Sequence, residues 1–286
     1  VRTMSNIRKP AVAGKFYQGT EEGLKSQIEK CFEQEHGPGE IPEVSERGPQ
    51  NMVGLISPHA GYPYSGPVAA HGFSKMAESG KPHKVVILGP NHSGFGAELA
   101  FDNSEAWETP LGEVNIDQAL RDEILSKTLN GELDATAHRR EHSLEVQIPF
   151  LQYLFANDFE IVPICLKRQD LETCEALGEA IGKVENGQNI IVIASTDLTH
   201  YESPKSAEKK DNQILEKIKT QDWKGVNELA SKSDHSTCGY GPVTATLLAT
   251  KRMGGNEVNL FKHSNSGEIG GPSREVVGYA SLGIYR

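Results

Sequence analysis

The stretch NIIVIASTDLTH, residues 189–200, opens as an apolar, β-branched run, stops at small residues and then delivers Asp197 and His200. A short apolar run without alternation reads as a strand buried on both faces. Two other stretches are built the same way. MVGLIS (52–57) runs into Pro58, His59, Ala60, Gly61 and Tyr62, and KVVILG (84–89) runs into Pro90, Asn91, His92, Ser93 and Gly94. EIVPICL (160–166) is a fourth run of the same kind. Helical patterns separate them. Residues 21–33 place Leu24, Ile28, Cys31 and Phe32 on one face, with Thr20 positioned to cap the first turn. Further helices are expected at 67–77, 116–127, 144–154, 171–184, 206–219, 226–231 and 241–252, and closing strands at 257–263 and 276–285. Strands alternating with helices predict an α/β fold: a central mixed, largely parallel sheet flanked by helices on both faces. The connections are short, which predicts one domain over residues 1–286. Only the Pro-, Gly- and Glu-rich stretch 36–51 reads as a surface excursion.

Composition narrows the function classes. A chain of 286 residues with 37% hydrophobic and 24% charged residues has ample material for a core. Its formal charge of -10 argues against nucleic acid, whose binding needs a basic surface. No apolar run approaches the roughly 18 residues of a membrane span, and residues 1–17 lack a signal-peptide core. The four cysteines, Cys31, Cys165, Cys174 and Cys238, form no CxxC pair and no disulfide framework. A reducing compartment, and hence a cytoplasmic location, is the expectation.

The chemistry collects at the strand ends. In open α/β sheets ligands bind beyond the carboxyl ends of the strands. Here three such ends each deliver a histidine: His59, His92 and His200. Any one of them alone is more readily a structural loop residue, but three at three strand ends point to one shared polar pocket. Imidazoles suit iron, copper, zinc and nickel, so a metal site is expected. Cys238 precedes an expected helix, where a thiol can be ionised and ligate. The alternative for Cys238 is an inert packed thiol, the role that the other three cysteines fit. Asp197, three residues before His200, can orient an imidazole or merely cap a turn. His142, beside Glu141, can be aimed at the same pocket by the helix that follows. The stretch His138–His142 (HRREH) also matches the inverted zinc-protease pattern H-x-x-E-H. It is a weak match, because the apolar helical pattern begins only at Leu144. Tyr62 and Tyr64 lie in a tight loop without the G-x-S-x-G elbow, which leaves Ser65 a poor nucleophile.

Taken together, Pro10–Tyr17 (PAVAGKFY), Ser57–Tyr62 (SPHAGY), Gly89–His92 (GPNH), Glu141–Glu145 (EHSLE), Ser195–Tyr201 (STDLTHY) and Thr237–Gly239 (TCG) resemble the MEMO family in order and spacing from about residue 7 to the C-terminus. The resemblance implies a fold like that of the class III extradiol dioxygenases. In those enzymes two histidines and a carboxylate hold Fe(II), and a further histidine acts as acid and base. On this chain His59 and His92 match the metal histidines and His200 matches the acid/base. Cys238 stands at the third ligand position, where it puts a thiolate in place of a carboxylate. Asp197 and His142 are expected to support catalysis, and Phe16, Tyr64 and Asn91 to meet the substrate. Iron is the first cofactor implied, with copper or zinc as the others. The implied activity is redox or oxygenase chemistry on an unidentified small molecule. The alternative is a non-enzymatic module that binds a peptide or other ligand in the same pocket. A thiolate at the site weakens the inference to ring cleavage, since dioxygen chemistry endangers it. Animal members of the family are known as mediators of cell motility that are thought to bind phosphotyrosine peptides. Prokaryotic relatives resemble parts of a set with an AMMECR-type protein and a radical SAM enzyme, which are the implied partners.

Overall fold

The computed structural model describes residues 6–184, 189–232 and 234–286. In chain order its first half runs β1 (Ile7–Arg8), α1 (Glu21–Glu33), β2 (Met52–Ser57), α2 (Tyr62–Ser79), β3 (Lys84–Pro90), β4 (Leu99–Phe101), β5 (Ala106–Thr109), β6 (Gly112–Ile116), α3 (Gln118–Lys127) and β7 (Glu132–Leu133). The second half runs α4 (Ile148–Phe155), β8 (Glu160–Leu166), α5 (Leu171–Gly182), β9 (Ile190–Ser195), β10 (His200–Glu202), α6 (Pro204–Lys219), α7 (Trp223–Ala230), α8 (Tyr240–Arg252), β11 (Glu257–Asn265) and β12 (Val276–Tyr285). The strands form one mixed sheet with the main order β1-β5-β6-β8-β3-β9-β2-β12-β10. Its middle, β8-β3-β9-β2, is parallel throughout.

The unbroken apolar runs have a direct cause. In β3, Val85 and Ile87 enter one core while Val86 and Leu88 enter the other. In β9, Ile191 and Ile193 face the first core while Ile190 and Val192 face the second. A strand covered on both sides has no solvent face and so shows no alternation. The first core is roofed by α1, α2 and α4, where Phe73 stacks on Phe150 at 4.8 Å and Phe32 meets Phe150 edge-on. Burying each such ring contributes roughly 1.5–3 kcal/mol. Residues of α3, α5 and α8 cover the opposite face, and α6 and α7 extend it toward β12. The α2 helix lies so close to the sheet that a Cβ on Gly72 would fall 2.3 Å from Ser281 Oγ.

The expected elements are present, with three corrections. The helix expected at 67–77 begins at Tyr62, because Pro63 sits in the first turn, where its missing N–H costs nothing. The helix expected from 116 begins at Gln118, and Asp117 caps it by accepting from Leu120 N. Residues 106–116 instead form the β5–β6 hairpin, turned at Gly112 with φ 113°. The helix expected at 144–154 opens as a 3-10 turn, Glu145–Gln147, before α4. The two-residue strands and the bulged β10 were too short to carry a readable pattern.

Register aligns the strand ends. Ser57 pairs with Ser195, Leu88 with Ala194, and Pro90 with Leu166. The loops carrying His59, His92 and His200 therefore leave from one edge of the sheet. No helix among the described residues is long and apolar enough to cross a membrane.

Candidate metal centre

Buried partners fix the histidines before any ligand arrives. His59 is 1% exposed, and its Nδ1 lies 2.9 Å from Ser195 Oγ. The Ser195 hydroxyl donates its one proton to the Ser143 carbonyl at 2.6 Å and accepts from the Gln147 amide at 2.8 Å. With that proton committed, Ser195 can only accept from His59. Nδ1 therefore carries the hydrogen, and Nε2 presents its lone pair to the pocket. His92 is held differently. Glu141 accepts the His92 backbone N–H at 2.6 Å and the ring Nδ1–H at 2.9 Å. Burial raises the Glu141 pKa, but the His92 hydrogen bond and charge and the Ser143 N–H outweigh it and hold the carboxyl at about 2. An ionised carboxylate behind a ring is the usual support for a ligating imidazole.

His142 completes the group. Its backbone N–H also binds Glu141, at 3.0 Å. Its ring lies against His92 and against Phe16, each at 4.5 Å between centroids. One nitrogen from each of His59, His92 and His142 lies within 4.8 Å of the others. Burial lowers the His142 pKa to about 4. Burial, then the neighbouring His92, His142 and His200, pushes His59 well below the ordinary histidine value. Both rings are neutral at pH 7, which is the ligating form. Three imidazoles, two of them with tautomers held by buried partners, fit a first-row transition metal.

Asp197, His200 and Cys238 surround this cluster. Asp197 Oδ1 accepts the His59 backbone N–H at 2.8 Å, and burial raises its pKa to about 6. The His200 Nδ1 lies 2.8 Å from the Ser236 carbonyl, which can only accept. His200 therefore carries a hydrogen on Nδ1, and in the neutral ring Nε2 is the free nitrogen. Cys238 Sγ lies 3.1 Å from His59 Nε2 and accepts from Asp197 N at 3.4 Å. A lowered thiol pKa at the start of α8 was expected. Burial, followed by the charge of Asp197, instead pushes it up. The neutral thiol donates to His59 Nε2, and its sulfur stands outside the three-nitrogen group.

The cluster opens into a cavity of about 940 Å³ whose lining includes His59, His92, His142, Asp197 and His200. Residues 8–283 match the family model described as Memo-like protein. The chain belongs to the MEMO family. A MEMO1 family protein of Methanopyrus kandleri is 47% identical over 277 residues, covering 96% of this chain and 98% of its own. One from Methanothermobacter thermautotrophicus is 44% identical over 278 residues, covering 96% of this chain and 99% of its own. The crystal structure of an uncharacterized protein from Escherichia coli K12 matches with a TM-score of 0.59 at 14% identity, over 82% of this chain and 99% of that one. At that identity the likeness concerns the fold alone.

Within this MEMO chain the sequence candidates divide. Phe16 and Tyr64 line the cavity with the four histidines and Asp197. Asn91 and Cys238 are not part of that lining. Asn91 accepts from Ser93 and Gly94 and donates to the Phe95 carbonyl, so it shapes the loop that carries His92. The H-x-x-E-H stretch is a series of turns and not a helix. His138 is buried elsewhere, with Nε2 on the Ala100 carbonyl and its ring edge on Trp107. Sequence reasoning did not single out Ser195, Gln147, Ser236 or Glu145. The one available signal was Glu145, a carboxylate four residues after Glu141 in an otherwise apolar segment. Glu145 receives Arg8, the backbone of Ala11 and Val12 and the Tyr17 hydroxyl, and so pins the segment that brings Phe16 to His142.

Proposed function

We propose that this MEMO protein binds a transition metal through His59, His92 and His142, and that the centre carries redox or oxygenase chemistry on a small chelating molecule. The observation that carries this reading is the convergence of three imidazoles within 4.8 Å, two of them with tautomers set by buried partners. Iron is the first candidate and copper and zinc are the others, since all three accept imidazole. When bound, such an ion supplies Lewis acidity and, for iron or copper, an electron path to a substrate with two adjacent oxygens.

The protein's own groups supply the rest. His200 presents a bare Nε2 as the base for the substrate hydroxyl proton. Asp197 fixes the His59 backbone beside it. Phe16 and Tyr64 wall the cavity and limit water. We assign Cys238 as an adjacent fourth donor. Its thiol is hydrogen-bonded to His59 Nε2, and ligation as the thiolate would release the thiol proton, so affinity rises with pH.

A cavity of about 940 Å³ exceeds what a small diol fills, which favours a second reading as a ligand-binding module. Elemental analysis of anaerobically purified protein separates the two. About one equivalent of iron, copper or zinc is expected in the wild type and its loss in His59→Ala and His142→Ala, because removed donors forfeit the binding energy. Absence of metal after anaerobic reconstitution would sink the metal reading, and ligand affinity that survives chelation would support the module.

A further inference from the structure

The strand that carries His200 is short and weakly paired. β10 stands at the end of the sheet and meets β12 at two positions, His200 against Val277 and Glu202 against Val276. Tyr201, between them, takes φ 55°, in the left-handed region that a tyrosine adopts only under constraint. So brief a pairing is marginal on its own. It is a poor mount for a ring whose Nδ1 has to meet the Ser236 carbonyl at 2.8 Å.

The missing support comes from α6. Asp211 is 1% exposed, and its Oδ1 accepts the Thr199 backbone N–H at 2.9 Å, one residue before His200. Its Oδ2 accepts from His263 Nε2 of β11 at 3.0 Å, which fixes the carboxyl group from the other side. Gly278 leaves room for that group, since a Cβ there would fall 2.0 Å from Oδ2. The Thr199 carbonyl accepts the Gly278 N–H at 2.8 Å, so both backbone polar groups of Thr199 are taken. A buried N–H that loses its acceptor forces the backbone to move to find another.

Lys210, the preceding helix residue, provides the second hold. Its Nζ donates to Glu202 Oε1 at 2.7 Å and also to the Asp234 carbonyl, two residues before Ser236. Ser206, one turn earlier, donates to Glu202 Oε2. The Ser236 hydroxyl in turn accepts the His200 backbone N–H at 2.8 Å. Strand and loop, the two sides of the His200–Ser236 hydrogen bond, are thus mounted on adjacent residues of one helix.

We propose that Asp211 and Lys210 are positioning residues for His200: they set where its ring stands and which nitrogen carries the hydrogen. That the ring then serves as a base rests on the function proposed above; the positioning itself does not.

The test reads the histidine ring nitrogens by long-range proton–nitrogen NMR on the isotope-labelled full chain at neutral pH, without and with zinc, the diamagnetic candidate. His200→Gln identifies the His200 signals. The neutral wild-type ring is expected in the Nδ1–H form. Asp211→Ala and Lys210→Met should each move the tautomer ratio toward Nε2–H by about fivefold, the scale of one net hydrogen bond. His59, held by Ser195, should keep its form in both. Asp211→Asn still offers an oxygen to Thr199 and should retain most of the wild-type ratio. An unmoved ratio in both variants, an Asp211→Asn as damaged as Asp211→Ala, or a His59 signal that changes along with His200 would each overturn the proposal, the last because it marks general loosening. If Asp211→Ala does not fold, Lys210→Met decides alone, since that side chain is partly exposed. A wild-type ring already in the Nε2–H form removes the base reading and this proposal together. The expected ratios in a protein that takes up no zinc, iron or copper would leave the positioning standing and remove the metal reading.

Discussion

Replacing Glu145 with methionine should release the N-terminal segment from the pocket wall. Glu145 is fully buried, and its carboxylate accepts from Arg8 Nη1 at 2.6 Å, Ala11 N at 2.8 Å, Val12 N at 3.1 Å and the Tyr17 hydroxyl at 2.7 Å. Arg8 is equally enclosed: Nε and Nη2 reach the His138 and Glu141 carbonyls, and the guanidinium lies 3.9 Å above the Trp107 ring. Removing one partner of a buried pair costs about 3–5 kcal/mol, because the other charge stays behind unpaired. Glu145→Met also orphans two backbone N–H groups, each costing about 1–3 kcal/mol if it stays dry. Letting the segment peel into water sacrifices chiefly the burial of Val12 and Tyr17, about 1.5–3 kcal/mol apiece. Peeling is the cheaper route, so the loss should settle at about 4 kcal/mol, the scale of the burial that Val12 and Tyr17 give up. Arg8→Met should cost less, because the carboxylate keeps three donors. The double variant should be less damaged than the sum of the singles, as expected for coupled neighbours. Urea unfolding gives the energies, and limited trypsin digestion at Lys9 and Lys15 reports the release. A Glu145→Met cost under about 1 kcal/mol, within the range of ordinary surface changes, or strict additivity in the double variant, would refute the reasoning.

Three further outcomes are expected. Burial pushes the Cys31 thiol up to about 12, so the stability linked to its neutral form is complete below 9.0 and is lost as the pH rises through about 12. The urea midpoint of the wild type should fall more steeply over that window than that of Cys31→Ala, and parallel profiles would contradict this. His138→Ala should lower stability by about 2–4 kcal/mol, as for other large-to-small core changes, yet leave the metal content unchanged; loss of metal from a folded variant would revive the H-x-x-E-H reading. Tyr201→Gly relieves a left-handed backbone worth about 1–2 kcal/mol and should raise the melting temperature, so an unchanged or lower value would show that no strain is held there.

Local pattern determined a good part of this protein. Four apolar runs of strand length, with residues 52–57 and 160–166 matching their strands end to end, announced a sheet covered on both sides. Thr20 announced the start of α1. His59, His92 and His200, each just beyond a strand, announced one shared cavity, because strand ends are written within a few neighbouring residues. The tertiary structure decided the rest. It brought His142 together with His59 and His92, although nothing in the H-x-x-E-H spacing separates His142 from His138, which is buried against Ala100 and Trp107. It raised the Cys238 thiol where a helix start alone suggested lowering. It set the tautomers, since His59 takes its partner from Ser195, 136 residues away, and His92 takes its partner from Glu141, 49 residues away. Proton position, ionisation and convergence are properties of whatever surrounds a side chain in space. For His59 that surrounding includes Cys238, 179 residues further along the chain, and no local pattern carries information over such a distance.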